Sequence, residues 1–219
     1  MVLLLSSSFV KADNSITIDQ IGDNLDMELE QEGDRHSLTL TLSGGYMEIQ
    51  TRQYSTTSST DQNSMNIDVN GSNNMVDVGQ GCKFLSNTGT PDCENDTHED
   101  PGHILNLSIV GNSNMVRGGQ KSGTANPNHE ADIDINSDNN SVFFTQAGSG
   151  KKDLDLTINN DGNTASIQQL YGTHTAAVTL DGTYPTNLNL IQTGSGTQSY
   201  TLLQNCITTG GCSVSVTQQ

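Results

Sequence analysis

The residues best suited to chemistry form an acidic cluster near the middle of the chain. Carboxylates crowd between residues 92 and 100, and the candidate metal ligands are Asp92, Glu94, Asp96, Glu99 and Asp100. Carboxylate oxygens of this kind suit Ca²⁺, a hard cation that prefers oxygen ligands. A solvated acidic loop is the alternative interpretation, and no other cofactor is expected.

A second acidic stretch, ADIDINSD at residues 131–138, imitates the start of a calcium-binding loop. The glycine and glutamate that such a loop needs at later positions are missing. Its isoleucines alternate with acids, which is typical of a strand with the carboxylates on its outer side. We therefore interpret this stretch as a strand.

The remaining reactive side chains show no catalytic arrangement. None of the five His residues lies in a nucleophile motif, and no Gly-rich phosphate loop is present, so we predict no catalytic residues and no enzyme. The alternative is a secreted β-helix protein that binds or cleaves polysaccharide, which would need acids beside Lys or Arg on one face. An ice-binding solenoid, a third class, would need a flat array of outward Thr.

Composition and charge exclude further classes of function and fold. The net charge of -17 and only eight Lys and Arg residues oppose binding to nucleic acid or to an anionic membrane. A hydrophobic fraction of 32% with no Trp argues against a large globular core. Such a chain is either disordered or stabilised by backbone hydrogen bonds and stacked polar side chains.

The first twelve residues and the four cysteines both favour a secreted protein. Residues 1–12 resemble a secretory signal remnant, too short to span a bilayer, with a short buried strand as the alternative. The cysteines form two local pairs, and we predict disulfides Cys82–Cys93 and Cys206–Cys212, with free thiols as the alternative.

A repeated unit runs along the chain. It reads Φ-x-Φ-x-Φ-x-G-x-x-N-x-Φ-x-Φ-x-Q, where Φ is apolar or small, and Asn140 with Gln146 is one example of its second half. The shortest intervals between terminal glutamines are 22 and 23 residues. Each half alternates apolar with polar residues, which predicts two strands around a Gly-x-x-Asn bend.

One such unit cannot bury its apolar face alone, whereas stacked units can. We therefore predict an all-β fold, a β-solenoid of about eight strand-turn-strand coils with loop insertions. Residues 13–219 would form a single domain, with insertions at 51–64, 81–103 and 120–130.

The register predicts which side chains point inward and which stack. Val76, Ile135 and Phe144 should be buried. The recurrent amides should lie above one another, each donating a hydrogen bond to a carbonyl of the next coil about 4.8 Å away. The predicted ladder residues are Asn74, Asn114, Asn140, Asn163, Gln31, Gln53, Gln80, Gln120, Gln146, Gln169, Gln192 and Gln218.

The two ends of such a solenoid are open sheet edges. Residues 16–31 and 200–218 contain no Pro or Lys that would block strand addition. The predicted contact residues are Ile16, Ile18, Val214 and Val216, which would meet when one chain stacks head to tail on the next. Because this contact does not close, it predicts a homopolymeric fibre.

The pattern resembles the curlin repeat of curli fibre subunits. The similarity lies in the Asn-x5-Gln arms, the Gln-Ile-Gly start at residues 20–22, the Gln-x-Gly ends at 146–148 and 192–194, and the repeat length. It covers residues 16–218. The first arm of a curlin unit usually carries its own Gln, and here only Gln20 occupies that place.

This resemblance implies a structural subunit of an extracellular curli-like amyloid fibre on the bacterial cell surface, which serves biofilm matrix and adhesion. The implied partners are further copies of the chain, a secretion pore and a nucleator subunit. Neither nucleic-acid binding nor membrane insertion is expected.

Overall fold

The structure is a computed structural model that describes residues 2–5, 15–31, 36–53, 63–80, 83–84, 91–92, 102–122 and 128–219. Within these ranges every regular secondary-structure element is a β-strand. The strands are β1 (Val2–Leu5), β2 (Ser15–Asp19), β3 (Leu25–Gln31), β4 (Ser37–Leu42), β5 (Met47–Gln53), β6 (Ser64–Asn70), β7 (Met75–Gln80), β8 (Lys83–Phe84), β9 (Pro91–Asp92), β10 (Ile104–Val110), β11 (Met115–Ser122), β12 (Glu130–Asp132), β13 (Ser141–Gly148), β14 (Lys152–Asp153), β15 (Thr164–Leu170), β16 (Thr173–Gly182), β17 (Thr186–Gln192), β18 (Thr197–Cys206) and β19 (Cys212–Gln218).

Two long parallel walls make up the molecule. Sheet 1 has the order β1-β3-β5-β7-β11-β13-β15-β17-β19. Sheet 2 comprises two groups of strands, β2-β4-β6-β10-β12 and β14-β16-β18. Successive single-residue bridges join the groups, from Ile109 to Ile135, from Ile135 to Ile158 and from Ile158 to Leu180. The chain alternates between the sheets. Each coil therefore consists of a sheet 2 arm, a bend and a sheet 1 arm, from coil 1 (β2 and β3) to coil 8 (β18 and β19).

The predicted β-solenoid is confirmed, but it has about six regular turns rather than eight. In coils 5 and 6 the sheet 2 arm shortens to Glu130–Asp132 and Lys152–Asp153, each followed by a single bridge. In coil 6 the reason is local, because Asp155 and Thr157 have φ angles of 130° and 21°. These values lie outside the strand region.

Alternation builds the core, as predicted. In β6 the apolar residues Met65 to Val69 are buried at every second position, and the residues between them are exposed. Side chains from both sheets meet in one continuous apolar cluster. Val76, Ile135 and Phe144 are all buried, which confirms the predicted register.

The bends depend on glycine and on the residue before each ladder asparagine. Gly71 and Gly111 have φ angles of 145° and 151°, and a Cβ on Gly71 would overlap the carbonyl oxygen of Gly111. Asn73 and Ser113 adopt the left-handed conformation, with φ of 55° and 58°. The residues that follow them are therefore free to stack in the next strand.

The predicted insertions are shorter where the structure describes them. Strand β5 continues to Gln53 and β6 begins at Ser64, while β11 continues to Ser122 and β12 begins at Glu130. Within 81–103, β8 and β9 form an antiparallel hairpin that contacts β7 and β11. Residues 54–62, 81–82, 85–90, 93–101 and 123–127 lie outside the described residues.

Candidate functional site: buried ladders and assembly ends

A ladder of glutamine side chains runs along sheet 1, as predicted. Six Nε2-to-Oε1 hydrogen bonds, 2.5–2.9 Å long, link Gln53 to Gln31, Gln80 to Gln53, Gln120 to Gln146, Gln146 to Gln169, Gln169 to Gln192 and Gln192 to Gln218. Gln53 and Gln80 each donate to the glutamine of the preceding coil. From Gln120 onward each glutamine donates to that of the following coil. The ladder thus changes direction where the chain carries its longest insertion.

Most of these glutamines also close their own coils. Since an amide NH₂ group carries two hydrogens, Nε2 donates a second bond to a backbone carbonyl at the start of its own sheet 2 arm. Examples are Gln53 to Ser37, at 2.8 Å, and Gln169 to Asp153, at 3.1 Å. Both partners lie 16 residues upstream of the glutamine. The glutamine therefore joins the two sheets as well as successive coils.

The asparagine ladder works mainly through the backbone, although Asn140 and Asn163 also donate to the side-chain oxygens of Asn114 and Asn140. The Oδ1 atoms of Asn74, Asn114, Asn140 and Asn163 accept the N–H group of the equivalent residue in the next coil, at 2.7–2.9 Å. For Asn163 the donor is Thr186, which takes the asparagine position in coil 7. The Asn74 and Asn114 amides donate to backbone carbonyls of the next coil. All four asparagines are at most 1% exposed.

A third column of buried polar side chains lies at the start of the sheet 2 arms, and we call it the histidine column. Its members are His36, Asn63, His103, His129, Lys152 and His174, each at most 1% exposed. This column was not among the residues predicted from the sequence, because the residue types differ from coil to coil. A signal was available, since the first five members each lie 17 residues before a ladder glutamine.

The histidine rings act as acceptors in the same way as the asparagines. Asn63 Oδ1 accepts the N–H group of His103 at 2.8 Å, and His103 Nδ1 accepts that of His129 at 3.1 Å. His129 Nδ1 in turn accepts the N–H group of Lys152 at 3.2 Å. The rings of His103 and His129 stack with centroids 4.8 Å apart. An acceptor Nδ1 requires a neutral ring, with the proton on Nε2.

Burial keeps these rings neutral. It lowers the pKa of His129 to about 3, with the nearby Lys152 ammonium adding to the effect. The pKa of His103 also lies well below its usual value, through burial first and then through electrostatic interaction with His129 and Lys152. Burial lowers the pKa of Lys152 to about 8. The Lys152 ammonium donates to the carbonyl oxygens of Ser149 and Gly150, at 3.1 and 2.7 Å.

Opposite charges meet on the outer face of sheet 1. Arg117 Nε lies 3.2 Å from Asp77 Oδ2, and Arg52 lies 3.6 and 3.7 Å from the carboxylates of Glu28 and Glu30. Burial raises the pKa of Asp77, while Arg117 opposes that rise. This is the acid-beside-Arg arrangement that a polysaccharide lyase would need. However, Asp77 is only 2% exposed, so its carboxyl is closed to a polymer chain in this structure.

The residues predicted to bind a metal ion do not form a site among the described residues. No group of three or more His, Cys, Asp or Glu side chains there could hold a metal ion. Asp92 lies in β9, and the rest of the 92–100 cluster falls outside the described residues. Calcium binding by that loop stays a prediction. Residues 132 and 134 lie on the sheet 2 wall, as the strand interpretation of that stretch requires.

One predicted disulfide is confirmed. Cys206 and Cys212 are bonded, with their Cα atoms 5.8 Å apart, and they join β18 to β19 across the bend of coil 8. Both members of the predicted Cys82–Cys93 pair lie outside the described residues.

The predicted contact residues lie at the two ends, but on different walls. Ile16 and Ile18 belong to β2 in sheet 2, whereas Val214 and Val216 belong to β19 in sheet 1. Ile16 is 46% exposed, and the other three are partly buried against the core. The predicted stacking of Val214 and Val216 on Ile16 and Ile18 therefore does not fit a direct continuation of the sheets.

Strand β1 covers part of the N-terminal end of the solenoid. Val2–Leu5 pairs in parallel with β3, with Leu3 opposite Met27. It therefore occupies the edge of sheet 1 that a further coil would need, while the edge strand β2 of sheet 2 has no such cover among the described residues. That residues 1–12 form a signal remnant stays a prediction.

Comparisons with known proteins identify no related protein. No family model, curated protein or solved structure matches the chain. In the described part of the chain, no helix is long and apolar enough to cross a membrane.

Proposed function

We propose that this protein is a structural subunit of an extracellular curli-like amyloid fibre, which polymerises head to tail through its open solenoid ends. Secretion to the bacterial cell surface, a role in biofilm matrix and adhesion, and partnership with a secretion pore and a nucleator subunit belong to the same proposal. Its support is the repeat, the solenoid and the chemistry of the two ends.

The observation that carries the proposal is the difference in charge between the end coils. Residues 15–31 contain five carboxylates and no Lys or Arg, whereas residues 197–219 contain no charged side chain. Head-to-head contact would bring two acidic coils together. Head-to-tail contact places each acidic coil on an uncharged one, which avoids like-charge repulsion and favours a polar, non-closing polymer.

Continuing both sheets in register defines the contact. Strand β18 of one copy would pair with β2 of the next, and β19 would pair with β3. Since Ser199 and Ser15 occupy the same column, as do Gln218 and Gln31, Ile18 would cover Leu202 and Met27 would cover Val214. Gln218 would then extend the glutamine ladder into Gln31 of the following copy.

This contact needs the edge of β3, which β1 covers. A chain that begins at Asp13, after the predicted processing site, would lack β1 and would present both edges of coil 1. We therefore propose that assembly starts only after residues 1–12 have been removed or displaced.

Electron microscopy and fibre diffraction of residues 13–219 test the proposal, with residues 1–219 as the matched control. In moderate salt we expect unbranched filaments with a repeat of about 4.8 Å along the fibre axis from the shorter protein, and much slower assembly of the longer one. A shorter protein that stays monomeric for days and degrades an acidic polysaccharide would instead support the lyase alternative.

A further inference from the structure

One broad outer surface of the solenoid carries no charge, and we call it the neutral face. It is the outer side of β13, β15, β17 and β19 in sheet 1, where alternate residues point away from the core. Its outward side chains are small, polar or apolar, and they include Phe143, Ser166, Gln168, Asn189, Ile191 and Ser215.

No other described outer surface stays free of charge over four successive coils, because the rest is charged, covered or interrupted by carboxylates. The same face of sheet 1 bears Asp26, Glu28, Glu30, Glu48 and Arg52 on β3 and β5. Farther along, the β8–β9 hairpin contacts β7 and β11. The outer side of sheet 2 carries carboxylates in coils 1, 3, 5, 6 and 7, including Asp19, Asp68, Asp132, Asp153 and Asp181. In a chain of net charge -17, the neutral face is therefore where two copies meet with the least repulsion.

We propose that the neutral face is a lateral docking surface for a second copy of this chain, through which neighbouring fibres pair and bundle. This inference rests on the proposed function, because it requires fibres. Two flat parallel sheets would pack face to face about 10 Å apart. Rows of Ser, Thr, Asn and Gln would interdigitate there as in dry amyloid interfaces.

The size of the face explains why polymerisation must come first. Four strands spaced about 4.8 Å apart, each about 23 Å long, give roughly 450 Å² per copy, or about 900 Å² for a pair. Stable protein interfaces usually bury at least about 1,200 Å² in total, so two monomers would not hold together through this face. In a fibre every copy adds another such contact, and the sum becomes large.

The arrangement also sets the spacing of lateral contacts. The eight coils advance about 38 Å at a strand spacing of about 4.8 Å, and the neutral face occupies about half of that length. Neutral and charged segments therefore alternate along each fibre. Paired fibres should align with neutral segments opposite each other, so shifts between them should be multiples of about 38 Å.

The test compares bundling of residues 13–219 with the wild-type sequence, with Gln168→Glu and with Thr179→Glu, by electron microscopy at moderate salt. Gln168→Glu replaces an amide with a carboxylate of nearly the same shape on the neutral face. Thr179→Glu adds one carboxylate to the outer side of β16 in the neighbouring coil and is the matched control. We expect bundles from the wild type and the control, and loss of bundling with intact single fibres from Gln168→Glu. Asn189→Asp should repeat that loss at a second position.

The outcomes separate the two proposals. Fibres of Gln168→Glu and Asn189→Asp that bundle as the wild type does would overturn the docking surface and leave the fibre subunit standing. Wild-type fibres that stay single, and bundle only when a neutral polysaccharide is added, would assign the face to a carbohydrate and overturn a second copy as its occupant. If no protein forms fibres, both proposals fail.

Discussion

The part of the chain before residue 162 and the part from 162 onward share one architecture but differ sharply in charge. The first part contains 24 of the 25 acidic residues and all eight Lys and Arg residues, so its formal charge is -16. The second part contains Asp181 alone and has a charge of -1. Sheet 1 nevertheless continues through both parts, and the glutamine ladder occurs in both.

This comparison separates what builds the fold from what governs its contacts. Inward apolar residues and the ladders recur on both sides of residue 162, so they carry the solenoid. Outward residues are free to change because they face solvent. Their charge decides which surfaces repel and which accept a neighbour, both at the ends and on the neutral face.

The largest expected effect comes from a charge on the wrong side of one strand. Leu190 is fully buried in β17, whereas its neighbour Asn189 points outward. Leu190→Asp should lower the free energy of unfolding by at least about 4 kcal/mol, since it removes buried apolar volume and buries an unpaired carboxylate. Asn189→Asp should change it by less than about 0.5 kcal/mol. Thermal unfolding measures both, and equal stability of the two variants would contradict the assignment of the core.

A smaller loss is expected from breaking the ladder. Gln169 exchanges hydrogen bonds with Gln146 and Gln192 and also donates to the backbone of Asp153, whereas Gln168 points to solvent. Gln169→Leu should cost about 2–3 kcal/mol because it leaves buried amide groups unpaired. Gln168→Leu, one residue away, should be nearly neutral. Urea unfolding of the pair decides whether the ladder stabilises the fold or only accompanies it.

The histidine column predicts sensitivity to mild acid in the acidic part of the molecule. Because burial lowers the pKa of His129 to about 3, the unfolded chain binds a proton below pH 6.5 that the folded chain does not. Its contribution to stability is therefore complete above pH 6.5 and declines as the pH falls. Each such histidine should lower the free energy of unfolding by about 1.4 kcal/mol per pH unit in that range.

His129→Asn should reduce this slope, because Asn63 already shows that an asparagine serves as acceptor in the same column. Urea unfolding between pH 7.5 and 5.0 would measure it. We expect the wild type to lose about 2 kcal/mol more than the variant between pH 6.5 and 5.0. Parallel curves for the two proteins would show that His129 is not held neutral by the fold.

The smallest expected effect concerns the contrast between the end coils. Ser213 and Asp26 occupy one column, so in a head-to-tail contact Ser213 would lie beside Asp26 of the next copy. Ser213→Glu should slow seeded elongation about four-fold at low salt, since like charges about 5 Å apart in water repel by about 0.8 kcal/mol. Thr164→Glu, in the same column but away from the end, is the control. Equal elongation rates would contradict the head-to-tail register.

Much of the fold was predictable because its signals are local. The alternation in β6 identified its buried residues without knowledge of their partners, and the bend after it follows from Gly71 and Asn73. The spacing of the glutamines then placed one coil above another. The coil count was less predictable, because Asp155 and Thr157 leave the strand conformation where the letters still alternate.

The assembly ends were only partly predictable. Ile16 and Val214 do lie in the terminal coils, as expected. That they lie on opposite walls depends on which arm of each coil joins which sheet, and alternation looks the same in both arms. The strand formed by Val2–Leu5 beside β3 was likewise an open alternative rather than a prediction.

The sequence by itself determined the repeat length, the inward residues, the Asn and Gln ladder positions, the Cys206–Cys212 pair and the charge difference between the two parts of the chain. Each follows from neighbours within one unit or from simple counting. The tertiary structure decided the histidine column, the neutral face and the pairing of the end strands. These depend on contacts between coils, and insertions of unequal length vary the separation along the chain between the residues that meet.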